Sequence, residues 1–305
     1  MSAPRSIDDY LKQLRAALEG EDPALIQDAL YDAEEYLRAE IATHPDKSEA
    51  DVLEIIASTY GAPDEVAAAY RETELKVKAA LAPPVRARAP NPSPLQKFFG
   101  VYSDPRTYTS LFFMLLTLVT GVLYFTFAVT GLALSAGLSI LIIGLPFFLL
   151  FIGMTRVISL GEGRLVEAIS GERMPRRPVH PGAPKGFFAR LLDMLKDQRT
   201  WTTLLYFLLM LPVGIVYFTV AVTGFCIGLA LTAAPFLRIA AYFGAFPDLE
   251  VHDAPGMFAW LTTPVGYVVC GVMGLLILTL VMHLARGVGR VHGRMAKALL
   301  VTHAM

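Results

Sequence analysis

Residues 104–131 and 197–224 are two copies of one segment. Set against each other, DPRTYTSLFFMLLTLVTGVLYFTFAVTG and DQRTWTTLLYFLLMLPVGIVYFTVAVTG agree at 16 of 28 positions without a gap. The matches include Asp, Arg, Thr, Tyr and Gly as well as Leu, so shared apolar composition does not account for them. Each copy opens an apolar run long enough to cross a bilayer, for which about 20 residues are needed. Four such runs with few or no charges can be counted, at roughly 109–132, 136–155, 203–225 and 264–284. With two spans per copy both copies enter from the same side. The repeat is therefore parallel, about a pseudo-two-fold axis along the membrane normal, which argues against an inverted-repeat transporter.

The basic residues predict the orientation. After residue 75 there are 20 Lys and Arg, and all but Arg238 lie before span 1, between spans 2 and 3, or after span 4. The positive-inside rule makes those three segments cytoplasmic, so both termini are expected inside. A tight turn near Ser135 to Gly137 and a longer loop over about 225–263 are then expected outside. No basic stretch followed by an apolar one opens the chain, so a cleaved signal peptide is not expected.

A near-neutral total conceals two halves of opposite charge. Residues 1–75 hold 6 Lys+Arg and 18 Asp+Glu, a net of −12, and the remainder holds 20 against 9, a net of +11. The head thus reads as a separate acidic domain, repelled by an anionic leaflet and suited to basic protein surface. Its pattern is helical throughout. Ser6 with Asp9 caps a first helix carrying Ile7, Tyr10, Leu11, Leu14 and Leu18 on one face. Asp22 and Pro23 start a second, with Ile26, Ala29, Leu30, Ala33, Leu37 and Ile41 as its stripe. Ser48 starts a third, which packs Val52, Ile55 and Ile56 and stops at Gly61. Pro63 starts a last short helix through Val66 and Tyr70.

The fold expected is all-α, a small soluble helical N-terminal domain plus a four-helix transmembrane domain built from a parallel internal repeat. Its divisions are 1–76 for the head, 77–96 for a Pro-rich linker and 97–305 for the membrane domain, with repeats over about 97–170 and 185–300. The linker run APPVRARAPNPSP favours extended polyproline conformation and holds the head off the bilayer. LQKFFGVY before span 1 and KGFFARLLDMLKD before span 3 pair basic residues with Phe and Leu, the composition of amphipathic interfacial helices.

Within the spans, Gly121, Tyr124, Ala128 and Gly131 stand at i, i+3, i+7 and i+10, and Gly214, Tyr217, Ala221 and Gly224 reproduce them. Small residues in such a row let helix backbones approach closely, so helix packing through Gly121 and Gly214 outweighs a ligand pocket. After the shared Thr-Gly the copies diverge: Pro146 is expected to kink span 2. Between Gly224 and Arg286 the second copy carries 37 more residues than the first does between Gly131 and Arg156. Its aromatic residues, Trp260 among them, suggest a segment in the outer interface, and the sequence leaves open whether 225–245 is re-entrant, interfacial or part of a long helix. Asp248, Glu250, His252, Asp253 and Trp260 make it the candidate sensing loop, although one His among carboxylates is more often a solvated loop than a cation site. Both copies then leave the membrane alike, Arg156, Gly163, Arg164 and Ala168 in one matching Arg286, Gly293, Arg294 and Ala298 in the other.

No P-loop, GxGxxG, HExxH, GxSxG or CxxC is present. Cys226 and Cys270 fall in apolar segments and read as buried thiols. The four apolar runs carry no acidic residue such as a proton relay would use. The chain is therefore expected to be no enzyme, with no catalytic or metal residues and no cofactor. The acidic surface around Asp32, Glu34 and Glu35 is expected to take a basic surface, either a partner regulator's or the chain's own stretch from Arg173 to Arg199. A rival docking face is apolar, around Tyr10, Leu14 and Tyr36.

Two resemblances cover nearly the whole chain. YLKQLRAAL, DAEEYLRAEI and IASTYGAPDEVAAAY, with Gly61, Pro63, Glu65, Val66, Ala67 and Tyr70 the most specific pattern, resemble the bacterial helical signalling domain called HAAS. Residues from about 98 to 300, through RTWTTLLY (199–206) and YFTVAVTG (217–224), resemble the sensor membrane domain found ahead of kinase modules in bacterial two-component histidine kinases. The resemblance implies a multi-pass protein of the bacterial inner membrane with the lipid bilayer as one partner. A cytoplasmic regulatory protein, such as a PadR-like winged-helix repressor, is the other, and no direct nucleic-acid binding is expected. Unlike the kinase members, these residues show no phosphoacceptor helix and no ATP-binding domain, so phosphorelay is not expected of them. The reading is a non-enzymatic sensor; the rivals are a constitutive adaptor or assembly factor and, less favoured, a lipid or small-molecule transporter or enzyme.

Overall fold

The computed structural model describes residues 4–81, 93–141, 143–178, 187–244 and 263–301. Among them there is no strand. The head forms four helices, α1 (Ile7–Ala17), α2 (Pro23–Thr43), α3 (Glu49–Thr59) and α4 (Pro63–Leu81). Each start has a local cause. The Ser6 hydroxyl accepts the Asp9 N–H at 3.2 Å, Asp22 accepts the Ala24 N–H at 2.9 Å with Pro23 in the first turn, and Ser48 accepts the Asp51 N–H at 3.3 Å. Each satisfies one of the donors that a helix start leaves unpaired. Gly61 turns the chain between α3 and α4 at φ +111°, a conformation glycine adopts without strain.

The apolar stripes converge on one core of Tyr10, Leu14, Leu18, Leu37, Leu53 and Ile56, none of them more than 1 % exposed. Each is worth about 1.5–3 kcal/mol when buried. The Tyr10 hydroxyl, deep in this core, donates to the Gly61 carbonyl at 2.8 Å and so ties α1 to the α3–α4 turn. The rival apolar docking face is therefore not available: Tyr10 and Leu14 are fully buried, and Tyr36 is half-buried with its ring stacked on Tyr60 at 4.3 Å. The last helix is also longer than the short one expected. Good helix formers in ELKVKAAL carry α4 to Leu81, inside the expected linker.

After a six-residue helix α5 (Pro94–Phe99), closed at its start by a Ser93–Gln96 capping box, the long helices follow. They are α6 (Pro105–Leu138), α7 (Gly144–Ser170), α9 (Gln198–Tyr242) and α10 (Pro264–Leu300), with the short α8 (Phe187–Lys196) before α9. All four long helices are apolar and long enough to cross a bilayer. Phe112, Leu123, Leu150, Val157, Val216 and Leu280 stand out from them at 57–70 % exposure, an apolar exterior suited to lipid. These helices fit a multi-pass membrane protein.

Three expectations change here. The turn after span 1 falls beyond Leu138, not at Ser135 to Gly137, because an isolated Gly costs a helix only about 1 kcal/mol. Pro146 does not kink a span: α7 starts at Gly144, so Pro146 sits in the first turn, where the missing N–H has no helical partner to lose. Residues 225–242, expected as outer loop, continue α9 without a break through Pro212 and Pro235. At 1.5 Å per residue its 45 residues make a helix of about 68 Å, more than twice a hydrocarbon core.

Packing groups the chain into two compact units that do not follow chain order. One combines Met1–Ala89, Gly131–Tyr206 and Gly293–Met305; the other combines Pro90–Thr130 and Phe207–His292.

Candidate functional site

In the first unit the head's acidic side chains meet a short non-helical stretch that follows α7. Gly171 ends α7 in the left-handed conformation (φ +73°), and GERMPRRP then runs from 171 to 178. Met174 and Pro175 are buried. Gly293 of α10 allows the close approach: a Cβ there would lie 2.7 Å from the Ser170 side chain and 3.1 Å from that of Glu172.

The contacts come from one stripe of α2 and from α4. Asp28 Oδ1 accepts two successive main-chain N–H groups, of Arg176 at 2.8 Å and of Arg177 at 2.9 Å. Its Oδ2 takes Arg173 Nη2 at 3.0 Å, and Arg173 Nη1 pairs with Glu74 of α4. Four residues on, Arg177 forms an ion pair with Asp32 at 2.8 Å and lies over the Tyr31 ring, 5.8 Å from its centroid. Gln27 donates to the Arg177 carbonyl at 2.5 Å and accepts from Arg199 at 2.9 Å. At the start of α2, Asp22 pairs with Lys297 of α10 at 2.6 Å.

Burial separates these contacts from ordinary surface pairs. Asp28 and Glu74 are only 5 % and 8 % exposed. Burial raises the Asp28 carboxyl above the usual carboxylate range, and the two N–H donors and Arg173 pull it back only in part. The Tyr70 hydroxyl donates to Asp32 at 3.0 Å, and its phenol is held protonated by burial first and by the Asp32 charge second.

Of the expected acidic surface, Asp32 is in this contact and Glu35 is exposed. Glu34 is not surface at all. It is 2 % exposed and bound within its own helix to Arg38 at 2.7 Å, because position 34 follows Ala33 onto the buried side of α2. Sequence reasoning missed Asp22, Gln27, Asp28 and Glu74. Asp28 and Asp32 stand four residues apart in α2, as Arg173 and Arg177 do in the non-helical stretch, but that spacing does not mark Asp28 as buried.

The second unit holds the glycine row. A Cβ on Gly121 would meet the Met210 carbonyl at 2.5 Å, and one on Gly214 would meet the Thr117 carbonyl at the same distance. Thr117 and Met210 are the same position in the two copies. Each glycine therefore lies on the partner helix one turn before the partner's own glycine, a reciprocal contact between α6 and α9. Tyr124 stacks on Phe207 at 4.9 Å, and in the other copy Tyr217 packs against the cluster of Ala221, Ala285 and Met114, the last being the counterpart of Phe207. Gly224 lies against Val281, and Gly131, in the first unit, lies against Phe151. Val281 and Phe151 correspond as well, by the spacing that relates Arg286 to Arg156.

Polar contacts repeat in the same way. Arg156 pairs with Asp197 at 2.9 Å in the first unit, and Arg286 with Asp104 at 3.2 Å in the second. Each joins the second helix of one copy to the lead-in of the other. Tyr206 donates to the buried Glu162 at 2.7 Å, and at the equivalent positions Phe113 packs edge-on against His292. Glu162 lies beyond the apolar run read from sequence, on the part of α7 that continues to Ser170. Cys226 is exposed and Cys270 half-buried, so neither is the buried thiol expected. Asp248, Glu250, His252, Asp253 and Trp260 lie outside the described residues.

No curated protein and no solved structure matches the chain. Residues 113–300, more than half of the chain and all four long helices but for the start of the first, match the protein family described as "Putative sensor". With a duplicated pair of helices that repeats both its glycine contacts and its ion pairs, the chain belongs to that family of sensor proteins.

Proposed function

We propose that the four long helices receive a signal in or at the bacterial inner membrane and that the HAAS-like head passes it to a cytoplasmic regulatory protein. Chemistry on a substrate has no part in this reading. The supporting observation is the contact of Asp22, Asp28, Asp32 and Glu74 with Arg173, Arg177 and Lys297. Those basic residues sit on or directly after the ends of α7 and α10. A change in how these helices pack changes the geometry offered to the head and shifts the population of docked and undocked heads. The distribution of Lys and Arg supports a cytoplasmic head, segment and C-terminus, and the resemblance to HAAS makes a PadR-like repressor the first partner to test.

A constitutive adaptor would use the same head without a switch. Capture of a PadR-like regulator by the full-length protein in membranes separates the two. The sensor reading expects capture to change several-fold when Arg173 and Arg177 are both replaced by Glu. Equal capture by both forms would leave the adaptor reading.

A further inference from the structure

The contact between α2, α4 and residues 173–177 has the parts of a peptide-binding site. A buried carboxylate, Asp28, is spent on two successive backbone N–H groups, which any non-proline residues would offer. Gln27 adds a donor to the carbonyl of the second. Side-chain selection lies at either end. Asp28 and Glu74 enclose the Arg173 guanidinium, 12 % exposed, and Asp32 with the Tyr31 ring takes Arg177. Planar guanidinium groups suit both places, one between two carboxylates and one across a ring, whereas a Lys would fill neither as well.

We infer that the head is a binding module for non-helical segments carrying two arginines four residues apart, and that residues 173–177 occupy the site in cis. A partner protein presenting an Arg-x-x-x-Arg segment would bind by displacing them. This deepens the sensor reading by naming the chemistry of the partner, yet the site can be tested without any signal. The tethered segment competes at high effective concentration, so the intact chain should bind such a peptide weakly until the segment is disabled.

The probe is a labelled peptide of sequence GERMPRRP, titrated against the full chain in nanodiscs. Replacing Arg173 and Arg177 by Ala in the chain should tighten peptide binding by at least tenfold over the unmodified chain. Adding Asp32→Asn and Glu74→Gln should remove that gain. A peptide N-methylated at the second arginine of its Arg-Arg pair keeps every charge but loses one N–H to Asp28, and it should bind at least tenfold more weakly. Binding indifferent to the N-methyl group would mean charge attraction alone and would overturn the proposal; so would a double-Ala chain that binds no better than the unmodified one.

A second arm does not depend on those variants folding. With a photo-crosslinking residue at Tyr31 and the cis segment otherwise intact, crosslinks to residues 171–178 should fall as millimolar peptide is added. Crosslinks that persist undiminished would also overturn it. Failure of either arm leaves the sensor reading standing, because that reading is tested by partner capture.

Discussion

Asp28 shows how one residue can be charged by type and yet be used for its geometry. Its raised carboxyl means that the docked contact holds the neutral form more readily than the free chain does. The sign follows: the cost of ionising Asp28 in the contact is absent below the ordinary carboxylate range, at about pH 3.9. It appears as pH rises through the window between that value and the raised one. Acidification should therefore not release the segment through Asp28. Asp28→Asn keeps an oxygen for both N–H groups but turns an amide N–H toward Arg173 in place of Oδ2, so it should weaken docking by about 1–2 kcal/mol at neutral pH. Asp28→Leu leaves two buried donors and Arg173 short of an acceptor, and should cost about 3 kcal/mol or more. Hydrogen exchange at the Arg176 and Arg177 amides reads the difference. The glycines are the other case where a single atom decides. Gly214→Leu places carbon 2.5 Å from a backbone carbonyl that has no rotamer to move, so detergent thermostability should drop by several degrees. An unchanged melting temperature would mean that α6 and α9 do not depend on this approach. The glycine row was legible from sequence because it occurs twice at the same spacing. Asp28 was not, because nothing in a sequence distinguishes a buried carboxylate with two amide donors from its solvated neighbours in an acidic helix.

At the scale of elements, starts were more legible than ends. Ser6, Asp22 and Ser48 announce α1, α2 and α3 because a side-chain oxygen must stand where the first amides lack partners. Ser48→Ala should accordingly lower the stability of the head by about 1 kcal/mol in urea titration, through α3 alone. Ends lack so strong a signal. Gly137 did not stop α6, and neither Pro212 nor Pro235 stopped α9. In a membrane helix, neighbouring helices take up the backbone groups that a proline frees, and Gly271 leaves room for the Pro235 ring, its Cβ position lying 3.1 Å away. The extension of α9 through Tyr242, one of the alternatives the sequence left open, follows from this, as does the loss of the outer loop read over 225–242. The paired salt bridges give an elementary check on the duplication. Arg156→Ala and Arg286→Ala break equivalent, half-exposed contacts, so their effects on thermostability should be small and alike, about 1 kcal/mol or less each.

For the whole molecule, the duplication and the opposed charges were the two features that carried furthest from the sequence. The first led to the all-α bundle and the family, and the second to an acidic head that meets arginines in its own chain. Charge totals could not say which acids do so, since Glu34 counts the same as Asp32 although Asp32 reaches Arg177 of the segment and Glu34 pairs with Arg38 inside its own helix. The proposed orientation has its own test: cysteines introduced near Ser93, Pro178 and Thr302 should resist impermeant reagents in cells while one at Asp248 reacts. Labelling at Pro178 from outside would reverse the topology and remove the head from the cytoplasm. The claim on which the functional reading turns is that specific charges, not bulk acidity, hold the head to residues 173–177. A charge swap tests it most directly, by hydrogen exchange across residues 171–178 of the full chain in nanodiscs. Asp32→Arg or Arg177→Asp alone should increase exchange there several-fold, and the double variant should return it close to the unmodified rate. Exchange unaltered by either single change, or unrepaired by the pair, would contradict the docking on which the account depends.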